Sequence, residues 1–159
     1  MDTNEGVIVV ARISSFLYAE SIITNITPQG VKPTVVSPLQ IMSLAFLPSS
    51  YSFAIIFGIQ DFDKDKAHKL TVAFMSEKEE ILFSASTESF ADPTNNNGMG
   101  LPNNFSCAQL SMDLRNINFL VEGIYTTKIW FDNEILGDFP IYVELARDEA
   151  NAGSNYKAE

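Results

Sequence analysis

Apolar and polar residues alternate with a period of two along most of this chain. Leu70, Val72 and Phe74 alternate with Lys69, Thr71 and Ala73. Leu110, Met112 and Leu114 alternate with Gln109, Ser111, Asp113 and Arg115. Phe139, Ile141, Val143 and Leu145 alternate with Pro140, Tyr142 and Glu144. Successive side chains on a strand point to opposite faces, so each run predicts a strand with one buried face. Phe53, Ile55, Phe57 and Ile59 form a further set, with Ala54, Ile56 and Gly58 between them. Apolar on both sides, that strand is expected to be central. Val7 to Ile13 and Leu17 to Ile26 predict two more strands near the N-terminus.

Turn residues set the connections. Ser76-Glu77-Lys78-Glu79-Glu80 joins a strand over 68–75 to one over 81–86, and Asp132-Asn133-Glu134 joins 124–131 to 135–145. Both spacings suit hairpins. Pro48-Ser49-Ser50 breaks the chain before Tyr51. Thr27-Pro28-Gln29-Gly30 predicts a tight turn, and Pro33 and Pro38 predict an extended, edge-like segment after it. No segment offers a capped helical pattern of three turns. The expected fold is an all-β, single-domain, antiparallel two-sheet β-sandwich of eight or nine strands, immunoglobulin-like or C2-like, with a barrel as the alternative. It spans residues 1–145, and residues 146–159 read as a polar tail. Ala91 to Phe105, rich in Asn, Pro and Gly, is a long polar loop of the kind that is either functional or mobile.

Composition narrows the class. A chain of 159 residues suits one domain, and such a domain buries about 70% of its unfolded surface without a staple. The 46% hydrophobic fraction excludes wholesale disorder. A single Cys excludes an internal disulfide framework. Twenty acidic against ten basic residues give a net charge of −10. That balance argues against nucleic-acid and anionic-membrane partners, which need clustered Lys and Arg. No apolar run approaches the roughly 20 residues of a spanning helix, and the N-terminus has no basic n-region, so a soluble cytoplasmic protein is expected. Asn25-Ile26-Thr27 and Asn104-Phe105-Ser106 match the glycosylation pattern and are read as chance matches.

Four features could carry chemistry or contact. Asp61, Asp63 and Asp65 sit at alternate positions after the central strand, and three carboxylates could converge on Ca²⁺. The loop fails the EF-hand pattern, and a C2-like site would need Asp132 or Asp92 from a second loop. Otherwise it is a solvated turn. His68, the lone histidine, would have to serve any His-based triad; the alternative is a strand-end residue covered by a loop. Cys107 has no adjacent Lys, Arg or His to lower its pKa and is expected in the core. Trp130 falls on the outward side of strand 124–131 with Ile124, Thr126 and Lys128, while Tyr125, Thr127, Ile129 and Phe131 look inward. An outward Trp is a candidate contact residue, unless loop residues cover it. No phosphate-cradling or nucleophile-elbow motif occurs.

Val121-Glu122-Gly123-Ile124-Tyr125, Ile129-Trp130-Phe131-Asp132-Asn133-Glu134 and Phe139-Pro140-Ile141-Tyr142-Val143 follow one another in the C-terminal third. This succession resembles a family of small bacterial and phage β-sandwich domains of unknown function. His68 to Phe83 resembles that family's middle hairpin, and the resemblance runs from about Ser43 to Leu145. Asn133 stands where the hairpin Gly is usual and tolerates the left-handed conformation. The Gly-x-Tyr element also resembles the tyrosine corner of immunoglobulin-like sandwiches. The resemblance brings no activity with it. The expected role is therefore a non-enzymatic module that binds a protein partner or self-associates as a homo-oligomer. It needs no cofactor, and an acidic accessory or inhibitor protein is the more specific form. A Ca²⁺-dependent C2-like domain is the alternative.

Overall fold

The computed structural model describes residues 10–63, 66–90 and 106–147. Nine strands form two sheets: β1 (Arg12–Thr27), β2 (Gly30–Leu39), β3 (Ile41–Leu44), β4 (Ser49–Gln60), β5 (His68–Met75), β6 (Ile81–Phe90), β7 (Cys107–Phe119), β8 (Gly123–Phe131) and β9 (Glu134–Leu145). One sheet runs β2-β1-β4-β7 and the other β3-β9-β8-β5-β6. Among the described residues there is no helix, and therefore none able to cross a membrane. The expected two-sheet sandwich is the fold.

The alternation explains which side chains meet. Phe53, Ile55, Phe57 and Ile59 of β4, with Phe119 of the adjacent β7, face Phe74, Val72, Ile129 and Tyr125 across the gap, all buried. β4 lies between β1 and β7, as its two-sided apolar pattern requires. Tyr18 carries a hydroxyl into this core, where it bonds Thr127 Oγ1 at 2.7 Å and donates to the Phe139 carbonyl. Its burial pushes the phenol pKa up.

Three details depart from the sequence expectations. The two N-terminal strands are one: β1 runs through Arg12–Thr27, with an irregularity between Ile13 and Ser15; Val7 to Val9 lie outside the described residues. β6 extends to Phe90 rather than ending at 86. One pair is parallel, because the chain leaves sheet one at Leu39 and enters sheet two after a single residue, placing β3 alongside β9.

The turns behave as their residues dictate. Asp132 and Asn133 both take positive φ, 50° and 66°, the requirement of the hairpin turn that suits strand twist. Thr27 Oγ1 donates to the Gly30 carbonyl at 2.8 Å across the β1–β2 turn, and Gly30 has φ of 117°, which favours glycine. Tyr125 donates its hydroxyl to the Val121 carbonyl at 2.8 Å, the back-bond of a tyrosine corner. The edge assignment for Pro33 and Pro38 also holds, since β2 is the outer strand of its sheet. β1 stops pairing with β4 at Ala19–Ala54 but continues with β2 to Thr27–Gly30. Beyond Ala19, β1 is therefore paired with β2 alone, and the end of this hairpin leaves the four-stranded sheet as a two-stranded arm.

Candidate functional site

Sequence-predicted residues fall at two places. The first is the end of the sandwich where β4 meets the 61–67 connection. Asp61 accepts from Arg12 Nε at 2.8 Å, and Asp63 pairs with Lys66 at 3.6 Å. Each of these carboxylates thus already faces a protein cation. Asp65 and Asp92 lie outside the described residues, as do the rest of the 91–105 loop and residues 148–159 of the tail. Among the described residues, no three His, Cys, Asp or Glu side chains gather as metal holders.

Asp132, proposed as a second acidic ligand, is committed elsewhere. Its two carboxylate oxygens accept from His68 Nδ1 at 2.6 Å and from the Lys69 amide at 2.9 Å. His68 is buried, and its Nε2 bonds the Asp63 carbonyl. A carboxylate and a carbonyl can only accept, so the pair is satisfied when both ring nitrogens donate, which is the imidazolium form. Burial pulls its pKa down, but the Asp132 and Asp63 hydrogen bonds and their charges outweigh this, and the net shift is upward. Phe131 stacks on the ring at 4.7 Å, a contact that favours a cation, and Phe62 packs against it edge-to-face at 5.9 Å. His68 closes the 61–67 connection over the β8–β9 turn, and with both nitrogens engaged it offers no lone pair to a substrate or metal. Cys107, expected in the core, is only half-buried because it opens β7 beside that connection.

The second place is the outer face of the five-stranded sheet. Thr126, Lys128 and Trp130 all point there, as the alternation of β8 predicts, and each is half-buried. Register places their neighbours. Trp130 lies between Thr71 and Ile135, Lys128 between Ala73 and Asp138, and Thr126 between Met75 and Pro140. Ile124 lies beside Tyr142, which lies beside Ile41. Ile41, Tyr142 and Ile124 are 46%, 44% and 47% exposed. A row of large apolar side chains across three strands, on a solvent-facing sheet, is a feature that interfaces carry and ordinary exposed faces rarely do. A depression of about 370 Å³ beside it is lined by Ile124, Thr126, Lys128, Pro140 and Met75. Lys128 Nζ reaches Glu79 at 3.8 Å, and Glu77, Glu79 and Asp138 supply its acidic border.

Sequence reasoning placed Trp130 on this outward face but did not align Ile41, Tyr142 and Ile124 into a row. Ile124 and Tyr142 were visible as apolar residues on outward positions. What was missing was register, which alone sets them side by side, and the parallel β3 pairing, which adds Ile41.

The model of DUF6941, described as a family of unknown function, matches residues 25–144. The match begins before the expected Ser43 and runs into β9. No curated protein matches the chain. Among solved structures, an immunoglobulin-like protein from Pseudomonas aeruginosa is similar at 11% identity and a TM-score of 0.43, covering 87% of this chain and 99% of its own. An alkylpurine DNA glycosylase from Pseudomonas fluorescens, bound to DNA containing an abasic site analog, is similar at 11% identity and a TM-score of 0.39; 84% of this chain and 30% of that chain are covered.

Proposed function

As the chain belongs to the DUF6941 family, which has no assigned activity, we propose from its surface that it is a non-enzymatic protein-interaction module. Its contact surface is the outer face of the five-stranded sheet. The observation that carries this reading is the Ile41–Tyr142–Ile124 row, with Trp130 and Ile135 further along the same face. Half-exposed aromatic and aliphatic anchors inside a charged border are the arrangement that supplies most binding energy at interfaces.

The partner that suits this border is a protein with a basic rim around an apolar patch. Glu77, Glu79 and Asp138 would then face Lys or Arg, and the net charge of −10 would speed the encounter. That is the accessory or inhibitor role in physical terms.

The test is affinity capture from the source organism by wild type and by the Ile124→Lys/Tyr142→Lys variant. Both positions are exposed, so the variant is expected to fold with an unchanged thermal midpoint. The expected result is one partner retained by wild type and bound at least about tenfold more weakly by the variant. Equal capture by both proteins, or no partner for either, contradicts the reading.

A further inference from the structure

Residues 21–60 contain no Asp or Glu and one basic residue, Lys32, in a chain with twenty acidic residues. This neutral stretch includes the β1–β2 arm apart from Glu20, its first residue. The arm is amphipathic. Register puts Ile22 opposite Val35, Thr24 opposite Pro33 and Ile26 opposite Val31, all on one face. The other face is mixed: it carries Ser21, Asn25, whose amide donates to Thr34 Oγ1 at 2.7 Å, and Lys32, together with Ile23 and Val36. By strand alternation the apolar face continues the side of β1 that holds Phe16 and Tyr18 against the core. Beyond Ala19, however, none of these six side chains is buried, and Ile26 and Val31 are 87% and 64% exposed.

A two-stranded ribbon with an uncovered apolar face is marginal in water. The rest of this chain is poorly suited to cover it. The described residues at the opposite end of the sandwich include Val10, Asp63, Phe90 and Ser106, and no described residue covers the face. Residues 148–159 have Tyr156 as their one large apolar residue and carry Asp148, Glu149 and Glu159. Strand addition at the free edge is disfavoured too, since one of two prolines five positions apart faces that edge. Pro33 and Pro38 remove two donors from β2, and Ser37 breaks its line with φ of 51°.

A second copy supplies what is needed: an apolar face of matching shape, whose one carboxylate, Glu20, stands at its base beside Tyr18. Two molecules each carrying −10 repel across their acidic surfaces and approach most easily through neutral ones. We propose that the chain forms a two-fold symmetric dimer in which the β1–β2 arms stack apolar face to apolar face. This inference rests on the reading of the chain as an interaction module but uses a different surface. It leaves the outer face of the five-stranded sheet free for another protein.

The test is light scattering of the full chain across protein concentration, with two sets of variants. Wild type is expected at twice the 17.6 kDa chain mass. The Ile26→Lys/Val31→Lys variant is expected to run as a folded monomer, its association weakened at least about tenfold. In a Cys107→Ser background, Thr24→Cys is expected to give a disulfide-linked dimer on mild oxidation, and Asn25→Cys, on the opposite face, is not. A wild-type monomer at every concentration overturns the proposal. So does a dimer that survives the arm substitutions, or one that is lost with Ile124→Lys/Tyr142→Lys instead. A monomer that still captures its partner through the outer face overturns the arm dimer alone, so the two readings fail separately.

Discussion

Among single residues, His68 and Tyr18 do the most specific work. His68 holds its charge between two acceptors, with a pKa above the usual histidine value, and Asp132 is correspondingly lowered, its burial outweighed by the His68 and Lys69 bonds and the His68 charge. A group raised in the folded state stabilises fully below its unfolded value and loses that effect as pH rises through the folded one. The thermal midpoint is therefore expected to fall as pH rises from about 6.5, and the His68→Gln variant should lose most of that slope. Asp132 acts oppositely: its contribution is present above the ordinary carboxylate value and fades as pH falls through the lowered one. Because Asp132 is half exposed, His68→Gln should cost about 1–2 kcal/mol at neutral pH, read from denaturant midpoints. A wild-type slope that persists in the variant would refute the assignment. Tyr18→Phe strips a bond from fully buried Thr127 and is expected to cost about 1–3 kcal/mol by urea unfolding.

Elements follow from period and turn chemistry. At the β8–β9 turn, Asn133→Val puts a β-branched residue at positive φ and should cost about 1–3 kcal/mol, whereas Asn133→Gly should be near neutral; equal thermal midpoints for the two would contradict the turn assignment. The strand content was legible because alternation and turn residues agree over nearly every segment: the inward set of β8, the two-sided β4 and the proline-marked edge at β2 all hold. Register and sheet crossing were not legible. Nothing local says that Leu39 and Ile41 belong to different sheets, or that β3 runs parallel to β9. The same gap hid the proposed contact row. Trp130 could be assigned a face from its own strand, but the Ile41–Tyr142–Ile124 row exists only once three strands are aligned. The His68–Asp132 bond joins residues 64 positions apart, a separation no spacing rule covers.

On the scale of the molecule, charge and apolar surface are segregated. Acidic residues cluster at turns and strand ends, residues 21–60 carry none, and the outer face of the five-stranded sheet holds an apolar row within an acidic border. Asp61 and Asp63 are already paired with Arg12 and Lys66, so added Ca²⁺ is expected to give no binding heat and no shift in thermal midpoint; a saturable heat lost in Asp63→Asn would restore the C2-like alternative. If acidic steering matters, partner association should slow as salt rises, because exposed charges are screened beyond about 8–10 Å at physiological ionic strength. The central claim is that the chain works by protein contact through the Ile124–Tyr142 face. Site-specific photo-crosslinking in the source cells tests it most directly, with the reactive residue at Ile124 in one variant and at Asp113, exposed on the other sheet, in the control. The account predicts one discrete protein adduct from position 124 and none from 113. No adduct at 124, or the same adducts from both positions, would contradict it.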